Sequence, residues 1–288
     1  MAKQQRKYRL EIQDIDGETV IVEPPFSIDF EIEKNIQTVV CSGSITIYNL
    51  KEATRNAIYK DIRQVGLENI RLVKLFAGYE SDGNLSQIFS GTISHCYSRR
   101  QGVDFLTVIE CNSGSDFLAN SYVTMNVGAG TAVRDYMASL AYQINGNARA
   151  VVGNLEGKIR RNFQASGYAE KLIKEYTDGN LYLDGDSILI LKENEVIQGI
   201  VNKINSDSGL LGSPQREENF LLFDIIFEPR ILMGQYIQLE SSTIPFFNGE
   251  YKVVGFHHSG TISEAVSGTA KTTIKVQYFP TDGSFVYG

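Results

Sequence analysis

Between Ile28 and Glu33 the chain alternates strictly, with Ile28, Phe30 and Ile32 apolar and Asp29, Glu31 and Glu33 acidic. Successive side chains of a strand point to opposite faces, so this segment is predicted to be a strand with one core face and one acidic face. A helix would scatter the six residues around its circumference. The same period of two recurs over residues 8–15, 20–22, 41–48, 70–78, 87–97 and 103–111. Turn residues break these runs at Asp16-Gly17, Pro24-Pro25, Asp82-Gly83-Asn84 and Gln101-Gly102. Residues 41–48 are the predicted partner of the acidic strand, with Ile45 and Ile47 toward the core.

The period changes twice. Leu50, Ala53, Ala57, Ile58 and Ile62 lie near one helical face, and Asn49 with Glu52 resembles a capping box. Further on, Val133, Met137, Leu140, Ala141 and Ile144 form a helical stripe ending at Asn145-Gly146-Asn147. A second stripe, Ala169, Leu172, Ile173 and Tyr176, predicts a helix from about Ser166, its N-cap, to Asp178-Gly179-Asn180. Strand patterns return over 196–201, 220–227, 236–239, 251–259 and 269–279, around a Gly-, Ser- and charge-rich segment at 205–219 that reads as a long polar loop. The chain has 288 residues, 42% of them hydrophobic, too long for one typical core. The expected organisation is mainly β with an α+β insert: a β domain over 1–118, an α+β domain over 119–191 and a second β domain over 192–288.

Little in the sequence points to catalysis. Only three histidines are present, and His257 and His258 are neighbours on a predicted strand, which sends them to opposite faces. Packing is the better reading for both, and for His95. Cys41, Cys96 and Cys111 are odd in number and lack paired zinc-ligand spacing, so free thiols are expected, with no disulfide framework and no metal site. Gly128-Ala129-Gly130 lacks the Lys-Ser/Thr ending of a phosphate loop and reads as a turn. No G-x-S-x-G elbow occurs. The formal charge is −7, and residues 1–118 hold 13 basic and 16 acidic groups, 192–288 hold 7 and 11. Neither β segment has the basic balance of a nucleic-acid clamp. The basic cluster Lys3, Arg6, Lys7 and Arg9 reads as a solvated tail. No run is long and apolar enough for a membrane anchor, and the start lacks a signal-peptide core, so synthesis and assembly in the cytoplasm are expected.

Several segments carry a family resemblance. Residues 26–50, ending Ile45-Thr46-Ile47-Tyr48-Asn49-Leu50, are followed in order by Phe89-Ser90-Gly91-Thr92-Ile93, Ile109-Glu110-Cys111 with Gly114-Ser115-Asp116, and Ser166-Gly167-Tyr168-Ala169. Then come Gly209-Leu210-Leu211-Gly212-Ser213-Pro214, Phe227-Glu228-Pro229-Arg230-Ile231, Gly234-Gln235-Tyr236-Ile237, Asn248-Gly249-Glu250-Tyr251-Lys252-Val253 and His257-His258-Ser259-Gly260. In this order they resemble the tail-tube-like baseplate hub proteins of long-tailed phages, contractile ones foremost, which are related to the hub part of secretion-system spikes.

The resemblance implies two tube-like β-barrel or sandwich domains flanking the α+β domain, no enzyme activity and no cofactor. It further implies a homotrimer whose six similar units form a pseudo-sixfold ring in the virion baseplate. Such a ring joins a hexameric tail tube, or its initiator protein, to a trimeric central spike and meets surrounding baseplate proteins. The spike is expected to be a separate protein, since no needle repeats follow. Asp29, Glu31 and Glu33 are then expected to line the channel, whose negative wall lets double-stranded DNA pass without binding. The alternatives are a cell-wall-cleaving tail enzyme, which needs a cleft with two poised carboxylates, and a carbohydrate- or receptor-binding tail module. The second draws on 15 Tyr and 15 Phe, but no Trp is present.

Overall fold

A computed structural model describes residues 5–35, 38–64, 69–113, 121–144, 149–177, 181–184, 187–264, 268–280 and 282–287. The first segment contains β1 (Arg6–Gln13), β2 (Thr19–Val22), β3 (Ile28–Asn35), β4 (Thr38–Tyr48), the helix α1 (Glu52–Ile58), β5 (Leu72–Tyr79), β6 (Ser86–Gln101) and β7 (Asp104–Ser113). The middle has β8 (Tyr122–Val127), α2 (Val133–Ile144), β9 (Arg149–Val152), β10 (Phe163–Tyr168), α3 (Ala169–Thr177), β11 (Leu181–Asp184) and β12 (Ser187–Ile190). The last segment holds β13 (Glu195–Ile197), β14 (Lys203–Ile204), β15 (Leu210–Glu217), β16 (Phe220–Ile226), β17 (Tyr236–Leu239), β18 (Gly249–Ile262), β19 (Ala270–Tyr278) and β20 (Ser284–Val286). The fold is mainly β with a small α+β insert. Among the described residues no helix is long and apolar enough to cross a membrane.

One sheet of 13 strands runs through both terminal segments, eleven of them along the path β15-β16-β19-β18-β3-β4-β7-β6-β5-β1-β2, with β17 also paired to β18 and β14 to β17. The link is the antiparallel pairing of β18 with β3, from Gly255 opposite Asn35 to Ile262 opposite Ile28. Three apolar clusters lie under this frame. The first gathers β1 to β7, the second the strands from β14 to β19, and the third α2, α3 and the short middle strands. The small sheet β11-β12-β9 stands between two of them. Val151, Tyr182 and Leu189 belong to the second cluster, while Val152, Leu181, Ile188 and Ile190 belong to the helical one.

Phe227, at the end of β16, is fully buried in the first cluster rather than in its own. Its ring meets Phe30 edge-on at 5.5 Å, and its carbonyl accepts the Tyr79 hydroxyl at 2.8 Å. The two β halves are therefore joined by backbone pairing and by one interlocked aromatic. Long β6 belongs to two pairings: Ser86 to Thr92 pair with β5 and Thr92 to Gln101 with β7. At this corner Gly91 is required, because a Cβ there would lie 2.4 Å from the Asn112 carbonyl oxygen.

The structure revises three local expectations. Asn49 does not cap α1; it adopts φ 58°, and its amide bonds Asp104 at 2.8 Å and the Phe105 N–H at 3.0 Å. Its short side chain is better satisfied across the β7 start, and α1 begins after Lys51 and ends before Ile62. Ser166 is not an N-cap but a strand residue opposite Thr124, so α3 begins three residues later than the stripe suggests. The 205–219 segment is not one long loop: 205–209 and 218–219 are turns, and 210–217 are a strand. Its backbone forms β15 against β16, and its polarity reflects exposure of most of its side chains at a sheet edge. The stripe of α2 holds, with Met137, Leu140, Ala141 and Ile144 buried. The stops at Asn145-Gly146-Asn147 and Asp178-Gly179-Asn180 and the Gly114-Ser115-Asp116 motif lie outside the described residues.

Replacing Phe227 by Ala removes the aromatic that locks the halves and should cost about 3–5 kcal/mol, read as a lowered denaturant midpoint. A midpoint unchanged within error would mean that the halves do not depend on it. His258 faces the same seam: fully buried, its Nδ1 lies 2.8 Å from Thr272 Oγ1. Burial, with Lys34 and His257 adding repulsion, holds its pKa well below the ordinary value of 6.5. The unfolded chain therefore takes up this proton first, and stability falls as pH drops through that ordinary value. Chemical denaturation between about pH 7.5 and about pH 5 should show a steeper loss for wild type than for His258→Gln; equal slopes would contradict this.

Candidate functional site: an acidic sheet face

Eight strands of the sheet, β15-β16-β19-β18-β3-β4-β7-β6, run antiparallel throughout. One face packs on the apolar clusters. On the other, side chains line up in rows fixed by the register. In one row Glu31 lies between Ser44 of β4 and Ser259 of β18, and Ser44 in turn faces Glu110. In the next, Glu33 lies between Ser42 and His257, and His257 faces Thr273 and then Asp224. Glu31, Glu33 and Glu110, with Ser42, Ser44 and His257, line an open depression of about 410 Å³.

The three residues predicted from the sequence share this face, but they are not equivalent. Ile28, Phe30 and Ile32 are buried and Glu31 and Glu33 exposed, as the alternation requires. Asp29 is half-buried and tied down. Its Oδ2 accepts the Tyr48 hydroxyl at 2.5 Å and its Oδ1 the Thr261 hydroxyl at 2.6 Å. The hydrogen bond to Asp29, with burial second, pushes the Tyr48 phenol up to about 12. Asp29 thus clasps β4 and β18 to β3, whereas Glu31 and Glu33 are open to solvent. Glu110 went unrecognised in the sequence, because strand register, which brings it beside Ser44, is not visible there.

Charge is uneven across the face. On the β16 and β19 side it is compensated: Lys271 Nζ bonds Asp224 at 2.8 Å and Lys275 Nζ bonds Glu217 at 3.0 Å. Burial raises the Asp224 carboxyl, but hydrogen bonds from Lys271 and Thr273 outweigh it and hold it below its ordinary value. On the β3, β4 and β7 side, Glu31, Glu33 and Glu110 share one depression, and His95 Nδ1 lies 3.8 Å from Glu110. The result is a negative stripe. Among the described residues no group of three or more His, Cys, Asp or Glu is arranged to hold a metal ion. His257 and His258 do point to opposite faces, and all three cysteines are buried.

Comparison with known proteins gives this sheet a context. The profile of the family described as Baseplate hub gp41 matches residues 10–259. Among curated proteins none matches by sequence. In structure the chain is similar to a tail protein from Neisseria meningitidis MC58, with TM-score 0.58, 10% identity and coverage of 96% of this chain and 99% of that one. It is also similar to the 43 kDa tail protein of prophage MuSo2 from Shewanella oneidensis, with TM-score 0.61, 7% identity and coverage of 96% and 98%. A third likeness is the E. coli c3393 protein, a type VI secretion component described as similar to the phage T4 tail proteins gp27 and gp5. There the TM-score is 0.52, the identity 10% and the coverage 91% and 76%. At these identities the likenesses establish the fold, and the profile match over most of the sequence establishes the kinship: the chain belongs to the baseplate hub gp41 family and is a structural component of the phage tail baseplate.

Proposed function

We propose that three copies of this chain form a pseudo-sixfold ring that joins a sixfold tail tube to a threefold spike and lines the passage for DNA. The observation that carries the reading is the eight-stranded wall, packed on one face and open and acidic on the other. The wall has two parts. Strands β3, β4, β7 and β6 come from the first segment, and β15, β16, β19 and β18 from the last. Each part supplies four antiparallel strands, so three chains would present six similar blocks around one axis. In this reading 1–118 and 192–288 are the two tube-like units. The 119–191 unit, with its own helical core, stands outside the ring and meets surrounding baseplate proteins.

The chemistry of the wall suits passage rather than capture. Duplex DNA carries about one negative charge per 1.7 Å of axis, so Glu31, Glu33 and Glu110 repel it and no specific contact forms. The carboxylates lie on an open sheet face, which favours a structural role without enzyme activity over a cell-wall-cleaving cleft. Asp29 belongs to the wall by position, but its work is to hold strands together.

Phages carrying Glu31→Lys, Glu33→Lys and Glu110→Lys together, with Asp29 kept, should release their genomes roughly tenfold or more slowly at low salt. The defect should shrink as salt screens the wall over about 10 Å at 0.1 M. Release measured by dye uptake at wild-type speed would contradict a channel-facing position for these residues.

A further inference from the structure

Residues 128–163 of the α+β unit hold five basic and two acidic residues, in a chain whose net charge is −7. Three of those cations converge. Lys158, Arg160 and Arg161, with Val133, Ile159 and Phe163, line an open depression of about 410 Å³ beside the start of α2. Asp135 and Glu156, the two acids of the stretch, line no part of it. We propose, resting on the outward placement of the 119–191 unit in the reading above, that this depression docks an acidic segment of a surrounding baseplate protein. The segment's carboxylates meet Lys158, Arg160 and Arg161, and one of its apolar side chains covers Phe163 and Ile159.

The depression is built by backbone pairing and by packing. The Gly130 N–H donates to the Ile159 carbonyl at 2.8 Å, the Ile159 N–H to the Thr131 carbonyl at 2.9 Å and the Val133 N–H to the Gly157 carbonyl at 3.1 Å. The Ala129 N–H donates to the side-chain oxygen of Asn162 at 2.6 Å. The Gly128-Ala129-Gly130 turn therefore seats the cationic segment across the start of α2. Gly130 and Gly157 adopt φ 90° and 108°, which residues with a Cβ take only under strain. Below, Ile159 is buried, and the Phe163 ring is braced edge-on by the buried Tyr136 at 5.8 Å. The floor is thus apolar and fixed before any partner arrives.

Its charges are uncompensated. Elsewhere on the surface Lys7 reaches Glu80, Lys203 reaches Glu240, Lys271 reaches Asp224 and Lys275 reaches Glu217. Lys158, Arg160 and Arg161 are exposed, and among the described residues none of them has an ion pair or a hydrogen bond. Three like charges around one hollow repel one another, and carboxylates entering it replace that repulsion by attraction. Guanidinium groups suit the task, because they hold a carboxylate through two parallel hydrogen bonds. The apolar floor favours a protein segment over phosphate. A nucleic acid or lipid headgroup would satisfy the cations and leave Phe163 and Ile159 wet, whereas an apolar side chain between two acids buries them. The negative charge of the rest of the chain repels the same segment, which directs it to this one place.

Carbodiimide coupling of purified tails tests the contact. The reagent takes up water as a lysine amine and a touching carboxylate become an amide, so only direct neighbours are joined. Mass spectrometry should find Lys158 joined to an Asp or Glu of a different baseplate protein, within a few residues of an apolar side chain. Lys158→Arg should lose the link and keep the wild-type yield of tails. Arg160→Glu with Arg161→Glu should lower the link and the yield by about tenfold or more. Exchanging the linked acid of the partner for Lys should then restore the yield, which separates lost docking from lost folding. Lys158 joined to a second copy of this chain, or charge-reversed tails forming at the wild-type yield, would overturn the proposal. So would an absent link in tails together with binding of a duplex oligonucleotide or of phosphatidylglycerol vesicles that the charge reversal abolishes. Copies per tail, counted in the same preparation, keep the two readings apart. Three copies without the link would leave the ring and overturn the docking, and one copy with the link would overturn the ring and leave the docking.

Discussion

The pairing of β3 with β18 is the contact on which the rest of the molecule depends. Without it the two β segments would be separate sheets, each with one further edge to protect. With it they become one wall, and Phe227 can cross from the second half to fill the first core against Phe30 and Tyr79. The seam is closed on both faces. On the core side lie Phe227 and the buried His258 with its Thr272 partner, and on the open side Asp29 binds Tyr48 and Thr261. The hydrogen bonds satisfy polar groups that would otherwise be costly to desolvate, which fixes the register of the two halves as well as their contact.

Fixing that register has consequences for charge. It aligns Glu31, Glu33 and Glu110 on one stretch of the face, and Lys271 and Lys275 with their own acids on another. A one-residue slip would turn the acids into the core and the isoleucines to solvent. The negative stripe is therefore a property of the seam as much as of the residues. On the proposed reading, in which a polyanion moves past the wall, such a surface needs a rigid support, and a continuous sheet locked by a buried aromatic provides one.

Much of this was legible in the sequence because period-two alternation is a local signal. Ile28, Phe30 and Ile32 announced their burial, and the α2 stripe announced its helix. What stayed hidden was non-local. Nothing near Glu110 says that β7 lies beside β4, and nothing near Tyr48 says that its hydroxyl ties down Asp29. The polar run 205–219 looked like a loop because an edge strand exposed on both faces has no alternation to show. Asn49 looked like a cap because Glu52 stands three residues on, yet the start of β7 offered its side chain better partners. The family resemblance, by contrast, rests on short structural motifs in a fixed order, which survive where pairwise register cannot be read.

The central claim is that one wall with an acidic open face stands three times around a common passage. Electron microscopy of the assembled tail tip, at a resolution that separates strands, measures this directly. The account predicts three copies per tip, with the β3 and β4 strands at the lumen and Glu31 and Glu33 pointing into it. Copies whose acidic face is buried against another protein, or a single copy per tip, would contradict it.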